Sequence, residues 1–157
     1  MPKALLESSK PVYFKVIRAV YERLTVQEGL SAYSARAIRD AQAVYTLFGF
    51  LKQETREHLI ALHLDAKNRM LCIDRVSTGT MTASLIHPRE VFKTALLSSA
   101  ASLLIVHNHP SGDPTPSRED ITVTEKLKGA GEIIGITLLD HVIIGEGYVS
   151  LREKGYV

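Results

Sequence analysis

The chain has 157 residues, of which 45% are apolar and 23% charged, with 19 basic residues against 17 acidic ones. That balance describes one ordinary soluble globular domain with a real core, and no apolar run approaches the ~20 residues that a membrane-spanning helix requires. A single cysteine, Cys72, excludes an intrachain disulfide and any cysteine-rich zinc site.

In chain order, the start Met1-Pro2-Lys3-Ala4 leads into charged residues without a signal-peptide core and reads as cytoplasmic. Residues 1–39 carry seven Lys or Arg against three acids, a mildly basic head compatible with weak, non-specific DNA contact but more often a solvated helix face. From Pro11, the residues Phe14, Ile17, Val20, Tyr21 and Leu24 follow helical spacing, and Gly29 punctuates. This divides the chain into a helical segment over 1–29 and a main domain over 30–157. A second helical pattern runs from Ser34 to Leu51. Strands are expected over His58–Leu64 and Met70–Thr78, joined by the turn-forming Asp65-Ala66-Lys67-Asn68. Cys72, in this second apolar run, is expected to be a small core residue. Gly79 breaks the hairpin, and Met81–Ile86 has the composition of a third strand. Pro88 opens a helix containing Val91, Phe92, Ala95 and Leu96, and Ala101–Val106 suits a buried strand. Ile121–Lys128 is expected to be helical, with Gly129 and Gly131 marking its end. Ile133–Leu139 and Val142–Ile144 read as strands, and Gly145-Glu146-Gly147 turns the chain back into Tyr148–Leu151. Mixed in this way, the elements predict an α/β fold with one mixed sheet flanked by helices.

The richest stretch runs from His107 to Asp120: His-Asn-His-Pro-Ser-Gly-Asp-Pro-Thr-Pro-Ser-Arg-Glu-Asp. At a strand end, His107 and His109 leave from the same face, because strand side chains alternate. Three prolines and Gly112 stiffen the loop that follows, and the loop delivers Ser117 and Asp120. Two imidazoles and a carboxylate are a suitable set for Zn2+ with a fourth position left for water. A second reading of the same residues needs no metal. Ser117 before Arg118-Glu119-Asp120 and the apolar Ile121, Val123 and Leu127 is also a helix N-cap, with acids placed at the positive end of the dipole. The two readings are compatible, since a capped helix is a stiff mount for Asp120. Asp113, in Gly-Asp-Pro, favours a turn role, while Asn108 and Ser111 suit loop-shaping or supporting positions. His141, beside Asp140, could support the site or lie near it, but a lone histidine between two strands is more often packed or hydrogen-bonded than metal-binding, and the same is expected of His58, His63 and His87.

The string His107-x-His109-Pro110 followed by Ser117-x-x-Asp120 resembles the JAMM (JAB1/MPN/Mov34) metalloprotease motif. The fuller string His107–Asp113 with Pro116–Asp120, together with Pro88-Arg89-Glu90-Val91-Phe92 and Asp140-His141, resembles the RadC-like branch of that family. The resemblance extends from about Thr55 to Leu151. It implies a cytidine-deaminase-like sheet flanked by helices, and a zinc hydrolase that cleaves a peptide or isopeptide-like amide. In that scheme His107, His109 and Asp120 are the metal ligands. Ser117 hydrogen-bonds the developing oxyanion, and a glutamate at the start of a strand far upstream acts as general base. Glu57, just before His58-Leu59-Ile60, stands in that setting, and Glu54 is its neighbouring candidate. Read without the resemblance, both belong to a solvated charged run. The deaminases themselves fit poorly, because their His-x-Glu and Pro-Cys-x-x-Cys elements are missing.

The same resemblance carries a rival reading, a DNA-repair-associated accessory or interaction protein whose metal site is vestigial or structural. Larger members of the branch place a helix-hairpin-helix-like segment ahead of this domain. The roughly fifty residues before the first expected strand contain no glycine-rich hairpin, which weakens a DNA-binding role.

Overall fold

The computed structural model describes residues 20–22, 37–79 and 86–157. The expected third strand, apart from Ile86, and most of the expected first helix lie outside these residues. Val20–Glu22 belong to no helix, and Tyr21 donates its hydroxyl to the carbonyl of Ser98 at 3.4 Å. Among the described residues, no helix is long and apolar enough to cross a membrane.

Among the described residues, five strands form one sheet: β1 (His58–Leu64), β2 (Met70–Thr78), β3 (Ser102–Asn108), β4 (Thr137–Ile144) and β5 (Tyr148–Ser150), in the order β2-β1-β3-β4-β5. Only the β3–β4 pair is parallel; the others are antiparallel, so the sheet is mixed as expected. Three α-helices of the described residues flank it: α1 (Ala41–Phe48), α2 (Pro88–Leu97) and α3 (Arg118–Ile134), with a short 3-10 turn over Gly49–Gln53 after α1.

Alternation along the two central strands builds the core. Every residue of β1 and β3 is buried. Ile60, Leu62, Leu64, Leu104 and Val106 turn to the side covered by α1, joining Val44, Leu47, Phe48 and Leu51. Leu59, Ala61, Leu103 and Ile105 turn the other way, to Val91 and Phe92 of α2 and Val123 and Leu127 of α3. Each such Val, Leu, Ile or Phe side chain withdrawn from water contributes about 1.5–3 kcal/mol before chain entropy is charged against it. Because β3 is central, whatever its C-terminal end carries is held from both layers.

Three expectations about element boundaries are corrected. Of the helix read over Ser34–Leu51, residues 34–36 lie outside the described residues and 37–40 are not helical; α1 begins at Ala41, where Asp40 caps it by accepting from the amide of Ala43 at 2.8 Å, and it tightens into the 3-10 turn at Gly49. α3 does not stop at Gly129 or Gly131 but runs on to Ile134, ending at Gly135 in the left-handed conformation (φ 81°). Gly131 serves packing instead, since a Cβ there would collide with the carbonyl of Ile136. Ile133 and Ile134 are therefore helical, and β4 passes unbroken through Asp140 and His141. Cys72 is half-buried on the edge strand β2, with its thiol 3.2 Å from Nδ1 of His63, and not a full core residue.

Candidate metal centre

The centre lies at the C-terminal end of β3. His107 is odd-numbered in that strand, like Ile105, so it faces the layer of α2 and α3. β3 continues through Asn108, and His109 follows just past the strand end, its amide donating to the carbonyl of Ile144 at 2.8 Å. The proline-rich loop then packs on the β4–β5 turn. The amide of Glu146 donates to the carbonyl of Gly112 at 2.7 Å, and a Cβ on Gly145 would collide with that same carbonyl. Gly112 takes a positive φ of 85°, which glycine adopts without strain. The loop ends at Ser117, the N-cap of α3.

The cap and the candidate ligand are one unit. Ser117 Oγ accepts from the amide of Asp120 at 3.1 Å, while Asp120 Oδ2 accepts from the amide and the hydroxyl of Ser117 at 2.7 and 2.6 Å. This is a capping box with aspartate in the third helical position. It leaves Oδ1 of Asp120 as the less encumbered oxygen. His107 Nδ1 lies 3.0 Å from Oδ1, and His109 Nε2 lies 3.4 Å from Oδ2. The three residues can each offer one donor atom with all of these atoms within 4.8 Å of one another. His107 and Asp120 are buried and His109 is half-buried.

Several observations fit a cation at this point. Both ring nitrogens of His107 are buried without a hydrogen-bond partner among the described residues; Nδ1 is near Asp120 but off-angle for a hydrogen bond. Orphaned nitrogens of this kind are costly unless something coordinates them. His109 Nδ1 lies 2.7 Å from the carbonyl of Asp113, which can only accept, so Nδ1 carries the proton and the Nε2 lone pair points inward. Burial pushes the carboxyl of Asp120 up, but the imidazoles of His107 and His109 close beside it and the hydrogen bonds from Ser117 outweigh burial and hold the group well below the usual carboxylate range. Asp120 raises the proton affinity of His109 against the opposing effect of burial, with further help from the Asp113 carbonyl and the charge of Glu57. The cluster thus holds negative charge ready for a cation.

Of the remaining candidates, Glu57 sits half-buried immediately before β1, close enough for its charge to act on His109. Glu54 is exposed, with its carboxylate 3.5 Å from Nε2 of His58. Asp113 makes the expected turn, accepting from the amide and hydroxyl of Thr115 at 2.9 and 2.6 Å. His58 is buried, its Nδ1 3.2 Å from the hydroxyl of Thr78. His63 pairs with Ser98 at 2.8 Å, and His87 caps α2.

His141 stands outside the ligand set but beside it. Its ring stacks on that of His107 with centroids 5.9 Å apart. Thr124 Oγ1 donates to the Asp120 carbonyl at 2.6 Å, so it accepts from His141 Nδ1 at 2.7 Å. Burial, reinforced by the charge of His107, pushes the His141 pKa down to about 3, so the ring is neutral. The sequence pointed to His141 near the site but carried no local sign of its link to Thr124, a helix residue seventeen positions away.

Residues 38–156 match the family model described as the RadC-like JAB domain. The chain is 50% identical over 149 residues to a UPF0758 protein of Methanococcoides burtonii and 50% identical over 143 residues to one of Methanosarcina mazei. The matches cover 94% and 90% of this chain but 65% and 62% of those relatives, so it spans a little under two thirds of their length. A UPF0758 protein of Desulforamulus reducens is 56% identical over 108 residues, covering 68% of this chain and 48% of that relative.

Proposed function

This chain belongs to the RadC-like JAB domain family, and on that footing we propose that it is a zinc-dependent hydrolase of the metallopeptidase type, cleaving a peptide or isopeptide-like amide. The observation that carries the reading is the convergence of His107, His109 and Asp120 on one point at a strand end. Zinc is the metal of choice because two imidazoles and one carboxylate match its catalytic donor sets. Bound there, it would supply a nucleophilic water near neutral pH and polarise the scissile carbonyl.

The chain's own residues have distinct tasks in this scheme. His109 is held in the correct tautomer by Asp113, and Asp120 is steadied by Ser117. Glu57 takes a proton at its carboxylate and passes it to the leaving amine. Ser117 is the oxyanion donor, a role for which its hydroxyl must turn from Asp120 Oδ2, where it now donates. An accessory protein with a vestigial centre would have no use for a carboxylate placed to act on His109.

The test is a pair of substitutions assayed on a panel of peptide and isopeptide-linked amides. Glu57→Gln keeps size and shape but cannot take a proton. It should retain metal and fold while turnover falls roughly 100- to 10,000-fold. Asp120→Asn should lose metal and turnover together. A fully active Glu57→Gln beside an inactive Glu54→Gln would move the base to Glu54. If neither glutamate matters, the upstream half of the site is wrong.

A further inference from the structure

The residue between the two histidines is the one whose contacts reach furthest. Strand alternation turns Asn108 away from His107, to the opposite side of the sheet. There its fully buried side chain meets the segment that connects the 3-10 turn to β1. Oδ1 accepts from the amide of His58 at 2.8 Å, and Nδ2 donates to the carbonyls of Leu51 at 3.1 Å and Arg56 at 3.0 Å. One amide thus bonds both ends of the span 51–58, and its neighbours in sequence are two of the three candidate ligands.

That span carries Glu57, and its middle lies at the surface. The Glu54 amide donates to the Leu51 carbonyl, the Gly79 amide donates to the Glu57 carbonyl, and residues 52–56 are exposed. The exposed Lys52–Glu146 contact at 3.9 Å contributes little. Asn108 bonds the main chain on both sides of Glu57, at Arg56 and at His58. An amide is the group that can do this, because it presents an acceptor and two donors in one rigid plane.

We propose that Asn108 is a positioning residue that fixes the Glu57 carboxylate relative to the metal centre, acting from the rear of the strand that supplies the ligands. The inference rests on the reading of Glu57 as base and of His107, His109 and Asp120 as ligands. A serine or threonine at 108 still fits the strand but cannot span the three partners. Either should leave the ligands in place while letting 51–58 move.

The experiment uses zinc alone as probe and needs no substrate. The full chain is labelled with 13C at the glutamate carboxyls, and the Glu57 signal is identified by its loss in Glu57→Gln. Adding one equivalent of Zn2+ to stripped wild type should shift that signal. Asn108→Ser and Asn108→Thr should bind zinc at the same stoichiometry. Their Glu57 shift change should fall below half the wild-type value, and the His58 amide should exchange with solvent at least tenfold faster. Should one variant not fold, the other carries the test. A full zinc-induced shift with wild-type His58 protection in a folded variant overturns the positioning role alone. A wild-type Glu57 signal that ignores bound zinc overturns the base assignment, and absence of zinc binding overturns the metal reading; the inference fails with either.

Discussion

Asp120 serves two partners with one carboxylate: Oδ2 closes the capping box with Ser117, and Oδ1 faces His107. The same group makes His109 a better base than an ordinary histidine, which has a consequence for metal binding. Protons compete with zinc for Nε2, and a raised proton affinity moves that competition to higher pH. Zinc affinity, measured by chelator competition, should therefore begin to fall while the pH is still above 6.5, the unperturbed histidine value. Affinity that stays flat down to pH 6.5 would contradict the assignment of His109. The three residues of the cluster could be picked out of the sequence because they are local: two lie at one strand end, and the third is one stiff loop away. Asn108 and Glu57 were only partly legible. The three bonds of Asn108 span 50 to 57 residues, and no spacing rule reaches that far.

Among the elements, the least legible boundary was the end of α3. Two glycines within three residues look like a helix stop, because glycine is a poor helix former and a common terminator. Tertiary packing overrode that signal at Gly131, where the returning chain crosses so closely that only a hydrogen fits. Gly129 has no atom within 4 Å of a Cβ built on it. The two positions should therefore respond to the same substitution with opposite sign. Gly129→Ala should stabilise by up to about 1 kcal/mol through helix propensity and reduced freedom of the unfolded chain. Gly131→Ala should destabilise by about 1–3 kcal/mol because the backbone must shift. Chemical denaturation of both variants checks this, and equal effects would mean that the crossing is looser than described. The start of α1 shows the converse case. Apolar spacing extended the helix upstream to Ser34, but the Asp40 cap sets its start at Ala41. The hairpin of β1 and β2 was fully legible from a turn-rich tetrapeptide between two β-prone runs, and Asn68 takes the left-handed conformation there (φ 57°).

For the molecule as a whole, the sheet is a partition: α1 and the 3-10 turn lie on one side, α2 and α3 on the other, and buried histidines sit within it. His63 is the one remote from the metal centre. Burial pushes its pKa below the ordinary histidine value against the opposing charge of Asp74, so the folded protein holds it neutral while the unfolded chain protonates it near 6.5. Stability from this source is fully present above pH 6.5 and is lost as pH falls below it, at up to about 1.4 kcal/mol per pH unit. Chelator-stripped His63→Leu should therefore lose less of its melting temperature between pH 7.5 and pH 5 than stripped wild type. An equal loss would assign the acid sensitivity to other groups.

The architecture brings one strand end, one rigid loop and one helix start to a single point, and the central claim is that this point binds zinc. The direct measurement is the metal content of protein purified without added zinc and dialysed to remove loosely held ions. Wild type should carry about one zinc per chain, and His109→Ala and Asp120→Ala should carry almost none, since each removes one of three protein ligands. Equal zinc in all three proteins, or none in wild type even after zinc is supplied, would contradict it.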